Sequence, residues 1–119
     1  MGTFVAAITA KHGSTIAVPT VTSFKVRGKA IIGLLLDIPQ GMQGSPYGNI
    51  TTGFQLIIDT ETIWPTAGQW IILDNFHAYV PFRYKLDKYE KDATINAYTT
   101  DNSNDHTGEL VVVTEDNND

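Results

Sequence analysis

The stretch FHAYVPFRYKL, residues 76–86, decides how the rest of the sequence is interpreted. Aromatic and polar residues alternate in it, so that Phe82 and Tyr84 fall on one set of alternate positions and Arg83 and Lys85 fall on the other set. Successive side chains of a β-strand point to opposite faces of a sheet, whereas a helical face repeats about every 3.6 residues. The stretch therefore predicts a long strand with one face in a core and the other face exposed.

Similar short runs recur along the chain and predict an all-β fold. Further strands are predicted at residues 21–26, 30–36, 54–58, 70–73, 94–100 and 110–113, with weaker candidates at 3–9 and 14–18. The apolar run at 30–36 predicts a strand covered on both faces, with Gly33 at a bulge or a close contact. The one helix candidate is short, at 86–92. Seven to nine strands of this kind predict a single-domain antiparallel β-sandwich, jelly-roll-like, over residues 1–119.

The composition narrows the class of protein. The 119 residues are 42% hydrophobic and include no cysteine, so disulfides and cysteine–zinc sites are excluded. A small chain without such crosslinks is stabilised by core packing or by assembly with other chains. No apolar run reaches the length of a membrane span, and no basic segment precedes the apolar N-terminal residues. We therefore expect neither a transmembrane segment nor a signal peptide.

Charge is distributed unevenly along the sequence. Residues 1–58 carry a net charge of +3, while residues 92–119 hold seven carboxylates and no Lys or Arg. The overall charge of −5 disfavours nucleic acid as a partner. Basic residues Lys25, Arg27 and Lys29 of one copy are predicted to face the acidic segment 101–116 of another copy. The simpler interpretation is that the acidic end, with its polar tail at 114–119, keeps the protein soluble.

A long glycine-rich loop is predicted at residues 39–50, between two apolar strands. Its glycines do not form a nucleotide-binding motif, because no Lys-Ser or Lys-Thr pair and no helix follow them. Two interpretations remain. The loop is a connection that crosses the end of the sandwich, or it is a contact surface for another subunit. The second interpretation assigns Met42, Pro46 and Tyr47 to an interface, together with Arg27 and Lys29.

The segment DNSNDHTGE, residues 101–109, is the best candidate for a cation site. Ca²⁺ is bound by several oxygen ligands from one flexible loop, and Asp101, Asp105 and Glu109 could supply them. The segment departs from the EF-hand pattern, because His106 stands where glycine is required. Asn, Asp and Ser also dominate ordinary turns. The expectation is therefore no cofactor, with Ca²⁺ at these three acids as the alternative.

The sequence offers little evidence for catalysis. Its three histidines, at positions 12, 77 and 106, lie far apart and have no metal-ligand spacing. No serine lies in a G-x-S-x-G motif. Most of the aromatic residues lie between positions 64 and 98, where they fill a core or form a platform for sugar rings. We therefore expect that the protein is not an enzyme.

These observations favour a structural assembly protein. The first hypothesis is a virion component, such as a capsid-decorating or spike protein, that forms a homo-oligomer (a dimer or trimer) and contacts other structural proteins. This hypothesis implies that the protein is located in the virion. If the protein is not viral, the expected location is the cytoplasm. The alternatives are a carbohydrate-binding β-sandwich module, with or without calcium, and a small β-barrel enzyme. Neither nucleic acid nor membrane is an expected partner.

Overall fold

The computed structural model describes residues 2–40, 50–66, 68–87 and 90–115. Nine β-strands lie in this part of the chain, which contains no helix. In chain order they are β1 (Gly2–Ala10), β2 (Thr20–Val26), β3 (Ala30–Ile38), β4 (Thr52–Ile58), β5 (Glu61–Trp64), β6 (Ile71–Ile72), β7 (Phe76–Lys85), β8 (Lys91–Thr99) and β9 (His106–Glu115). Within these residues no helix is long and apolar enough to cross a membrane.

The strands form two antiparallel sheets. Sheet A has the order β1-β9-β3-β7, and sheet B has the order β2-β8-β4-β5, with β6 also paired to β4. Strands β5 and β6 pair with different parts of β4, so β6 continues the edge that β5 begins. The chain crosses repeatedly between the sheets, and this strand order is that of a jelly roll. The predicted all-β, antiparallel β-sandwich of jelly-roll type is therefore confirmed.

The core lies between the two sheets and follows the alternation of the strands. In β7 the predicted face containing Phe82 and Tyr84 points inward and packs against the core. The largest fully buried side chains include Phe54, Leu56 and Ile58 of β4. In β3 the prediction of two covered faces is wrong at Leu35, which is 46% exposed although both of its neighbours are buried. The described residues thus cover only one face of sheet A.

The outer face of sheet B is treated differently. Residues between β5 and β6 fold over it, and Trp70 packs edge-on against Tyr98, with ring centroids 5.0 Å apart. Gln55 donates a hydrogen bond to the Gln69 carbonyl at 2.8 Å and accepts one from Asn96 at 3.2 Å. The strand β4 is therefore mostly buried on both faces. The chain covers part of this sheet with its own residues.

Several local predictions need correction. The weak strand at 14–18 is a turn region, where Ser14 and Thr15 bond to nearby backbone groups. Strand β5 was not expected from the sequence. The helix candidate at 86–92 is a turn and the start of β8 in its described residues. Residues 114 and 115 of the expected polar tail belong to β9, which continues to Glu115, and residues 116–119 lie outside the described residues.

Burial of the core dominates the stability that we expect. Replacing Ile58, which is 1% exposed, by Ala should lower the free energy of unfolding by about 2–5 kcal/mol, because a cavity replaces its side chain. The same replacement at Ile72, which is 51% exposed, should change it by about 0.5 kcal/mol or less. Urea denaturation followed by circular dichroism measures both. Equal losses in the two variants would contradict the placement of the core.

Candidate functional site: the outer face of sheet A

A row of apolar side chains crosses the outer face of sheet A. Strand registers place Val5 opposite Val111, Val111 opposite Leu35, and Leu35 opposite Tyr79. Three of these four are exposed, Val5 by 61%, Leu35 by 46% and Tyr79 by 47%. The adjacent row adds Val113 and Pro81, which also point outward. We call these residues the apolar belt: Val5, Leu35, Tyr79, Pro81, Val111 and Val113.

Tyr79 is held flat along this face. Its hydroxyl donates a hydrogen bond to the Ile32 carbonyl at 3.0 Å. The ring occupies the space above Gly33, where a Cβ atom would overlap it. Strand β3 also has a register irregularity between Ile31 and Gly33, so both predictions for this glycine are confirmed. The glycine allows the tyrosine to present one side of its ring to the exterior.

One border of the belt carries excess positive charge. The Arg83 guanidinium donates a hydrogen bond to Glu115 at 3.0 Å, and Lys29 Nζ lies 3.5 Å from the other carboxylate oxygen. The Arg83 hydrogen bond, with the charges of Arg83 and Lys29, holds the pKa of the Glu115 carboxyl below its usual value. Two cations thus share one carboxylate. Among the described residues, the net charge at this border is positive.

The opposite border carries negative charge. Asp37 pairs with His77 across β3 and β7, with a distance of 2.6 Å between the carboxylate oxygen and Nδ1. Glu109 lies opposite Asp37 on the neighbouring strand β9. Both acidic side chains share the outer face with the belt. The belt is therefore bounded by charges of opposite sign at its two ends along the strands.

The structure gives two of the sequence-predicted basic residues partners within the same chain. Lys25 forms an ion pair with Asp92, and Lys29 pairs with Glu115. Arg27 lies in the turn between β2 and β3, where its carbonyl accepts a hydrogen bond from Thr114. Part of the charge separation seen in the sequence is thus balanced inside one copy. Met42, Pro46 and Tyr47 of the predicted interface lie outside the described residues, as does most of the glycine-rich loop.

The three acids of the candidate calcium site are not brought together. Asp101 is buried and accepts hydrogen bonds from the backbone N–H groups of Ser103 and Asn104. Asp105 accepts the His12 backbone N–H at 2.9 Å. Glu109 and His106 both lie on β9, three positions apart, so their side chains point to opposite faces of the sheet. Because His106 contacts Asp101, Glu109 points away from Asp101. Among the described residues no cluster of three metal-ligating side chains is found.

Two of the histidines form short contacts with aspartates at one end of the sandwich instead. His106 Nε2 lies 2.8 Å from Asp101, and His12 Nδ1 lies 2.6 Å from Asp105. The Gly13 N–H also donates to the Asp101 carbonyl. The His12 and Gly13 contacts connect the segment after β1 to the segment between β8 and β9. The sequence did not predict this, because His12 and Asp105 are separated by 93 positions.

The other candidate sites are occupied by structural contacts. Trp64 lies beside Phe54, with ring centroids 5.9 Å apart, and Trp70 covers Tyr98. A cleft of about 540 Å³ on sheet B is lined by Lys25, Asp59 and Asp92 among others. Its two carboxylates are each paired with a lysine, Asp92 with Lys25 and Asp59 with Lys91. Neither feature provides a nucleophile with its base.

No protein-family model matches the chain, and no curated protein matches it. The apolar belt and its charged borders therefore carry the functional proposal.

The Asp101 contacts predict a specific dependence of stability on pH. Hydrogen bonds from the Ser103 N–H and from His106, with that of the Asn104 N–H, lower the pKa of this carboxyl from 3.8 to about 2. Because the pKa is lower in the folded state, the stabilisation is complete above 3.8 and is lost as the pH falls toward about 2. Asp101→Asn should lower the free energy of unfolding at neutral pH. The difference from wild type should shrink across that interval.

Urea denaturation at a series of pH values measures this difference. Glu109→Gln is the control, because this exposed acid has no hydrogen-bond or ion-pair partner in the described part of the chain. A deficit of the Asp101→Asn variant that stays constant from neutral pH down to about pH 2 would contradict the assignment.

Proposed function

We propose that the protein is a non-enzymatic structural subunit that assembles with copies of itself, as a component of a virion such as a capsid-decorating or spike protein. The observation that supports this is the apolar belt. It crosses all four strands of sheet A, from Val5 on one edge strand to Tyr79 on the other. Monomeric proteins rarely expose a contiguous apolar surface across a whole sheet, and such surfaces mark sites of association.

The composition of the belt suits a protein interface. The centres of interfaces are depleted in charged residues and enriched in aromatic ones, while their rims are polar. The belt follows that arrangement, with Tyr79 and Leu35 inside and with Asp37 and Arg83 at the rims. Tyr79 is already fixed by its bond to the Ile32 carbonyl, so its burial costs little side-chain entropy. The surface is preorganised for contact.

The charged borders favour a second copy of this chain as the partner. A two-fold axis that runs across the strands would turn one sheet over onto the other. It would then bring the acidic border with Asp37 and Glu109 toward the basic border with Arg83 and Lys29 of the second copy. Opposite charges at an interface favour the correct orientation and speed association. Such an isologous contact needs only one surface on each copy.

The fold accords with this function by analogy. Jelly rolls build viral capsid subunits, and they also build lectin domains. Fold alone does not decide between these two uses. The carbohydrate-binding alternative needs exposed aromatic rings. Both tryptophans pack against other aromatic side chains, and the exposed ring of Tyr79 lies among the aliphatic side chains of the belt. We therefore rank the assembly function above carbohydrate binding, and both above an enzyme.

The native mass of the protein tests this function. We expect an oligomer whose mass is the same in calcium and in a chelator. Leu35→Lys should shift the population to a smaller species, because it places a charge in the centre of the belt. Ile72→Lys is the matched control, since Ile72 is similarly exposed but lies on sheet B. Analytical ultracentrifugation over a range of concentrations measures all three proteins, and circular dichroism checks their folding.

Each outcome has a clear meaning. A monomer at every concentration would overturn the proposal. Association that appears only with calcium would overturn it in favour of the binding module. An oligomer unaffected by Leu35→Lys, or equally weakened by Ile72→Lys, would show that the belt is not the contact surface.

A further inference from the structure

Strand β1 is an unusual edge strand. It forms one edge of sheet A and, among the described residues, pairs only with β9. Its nine residues, GTFVAAITA, include no proline and no charged side chain. Proteins usually protect sheet edges with lysine, proline, bulges or short strands, because an open edge pairs with other strands. Strand β1 has none of these protections over its length.

The other edge strands are protected. At the opposite edge of sheet A, β7 carries Pro81, Arg83 and Lys85. In sheet B, β2 carries Lys25, and β5 is four residues long and carries Glu61. Proline lacks the N–H group that a new strand pairing needs, and a charged side chain or a short strand also disfavours the addition of a strand at an edge. Among these four edges, only β1 has neither a charge, a proline nor a short length.

We propose that two copies of the chain pair through their β1 strands, antiparallel and in full overlap, with a two-fold axis at Ala6. This inference rests on the proposed assembly function and identifies a second contact within it. The two four-stranded sheets A then join into one sheet of eight strands. The mode is strand addition at an exposed sheet edge, in which backbone hydrogen bonds supply the contact. The second copy is chosen because β1 is electrically neutral and therefore compatible with itself.

The register that overlaps all nine residues gives favourable neighbours. Outward-facing Val5 lies opposite Ala7 of the second copy, and Thr3 lies opposite Thr9. Inward-facing Phe4 lies opposite Ile8, and Ala6 lies opposite itself. Aromatic–β-branched and Thr–Thr pairs are among the cross-strand pairs that stabilise sheets. No pair in this register includes a charge.

Edge pairing also extends the apolar belt. Val5 ends the belt at the β1 edge of one copy. A second β1 strand beside it would place Ala7 and Val5 of the second copy next to this end. The two belts would then meet at the joined edge, offset from each other by two residues along the strands, because Ala7 lies opposite Glu109 rather than opposite Val111. The contact through the edge thus enlarges the surface available for the contact through the face.

Cysteine crosslinking tests the pairing directly, since the chain has no cysteine of its own. We would prepare Val5→Cys and Ala7→Cys and oxidise each alone and as an equimolar mixture. Residues directly opposite in antiparallel strands have Cα atoms about 4.5–5.5 Å apart, which is within the range of disulfides. The mixture should give a crosslinked dimer on non-reducing gels. Each variant alone should give much less.

Val21→Cys provides the background. Val21 is 59% exposed on the edge strand β2 of the other sheet, so it reports random collisions. A mixture that crosslinks no more than Val21→Cys would overturn the pairing. If Val5→Cys alone or Ala7→Cys alone crosslinks more strongly than the mixture, the proposed full overlap is overturned. That result would place the two-fold axis at residue 5 or residue 7 instead of at Ala6.

A second pair of variants tests the same contact through charge. Thr3→Lys with Thr9→Lys places like charges opposite each other at two outward-facing positions of the pairing and leaves the belt residues unchanged. The dissociation constant should rise at least tenfold, and high salt should recover part of the loss. The control is Val21→Lys with Ser23→Lys, two exposed positions on β2. Circular dichroism and thermal melting check that both double variants fold.

The native mass separates failure of this inference from failure of the proposed function. If wild type is a monomer, the assembly function and the β1 pairing both fail. If wild type is an oligomer that neither crosslinks through residues 5 and 7 nor responds to the lysines, only the β1 pairing fails. In that case the belt remains the proposed contact surface, which the Leu35→Lys variant tests.

Discussion

The two-residue period of the β-strand is the constraint on which the rest of this structure depends. Without disulfides, the two sheets are held together by burial of their inner faces, and this burial fixes the direction of every alternate side chain. Whatever the sequence places on the remaining positions faces outward. In β7 the outward set is His77, Tyr79, Pro81, Arg83 and Lys85. Core formation thus determines the outer surface as well as the interior.

The outer faces of the two sheets differ in how far the chain covers them. On sheet B, an excursion between β5 and β6 places Trp70 over Tyr98 and satisfies Gln55 with the Gln69 carbonyl. On sheet A, the described residues provide no equivalent cover, and Leu35 and Tyr79 stay exposed. The same chain therefore covers one apolar outer region by itself and leaves the other open. This asymmetry is the physical reason to expect a partner on sheet A.

The fold could be predicted from the sequence because its signals are local. Alternation in residues 76–86 correctly predicted the buried and exposed faces of β7, and the runs at 54–58 and 110–113 correctly marked strands. The prediction failed where local preference is weak. The segment around Ile16 and Val18 is β-branched but remains exposed in a turn region, and four-residue β5 is too short for a clear pattern.

The candidate site could not be predicted in the same way. The apolar belt combines Val5, Leu35, Tyr79 and Val111, which meet only through strand registers that join distant parts of the chain. The acids at 101, 105 and 109 show the converse. They are close in sequence, but Glu109 belongs to a strand whose alternation turns it away from Asp101. Spacing suggested a common site, and the strand geometry separates its members.

The two proposed contacts together constrain the size of the assembly. Each is isologous, because β1 pairs with β1 and the belt of one copy packs on the belt of another. Isologous contacts relate copies by two-fold axes, so assemblies built from them contain an even number of chains. The trimer considered from the sequence would need a heterologous contact, in which two different surfaces meet. The neutrality of β1 and the opposite charges at the two ends of the belt both favour two-fold symmetry, and hence a dimer or a closed assembly of dimers.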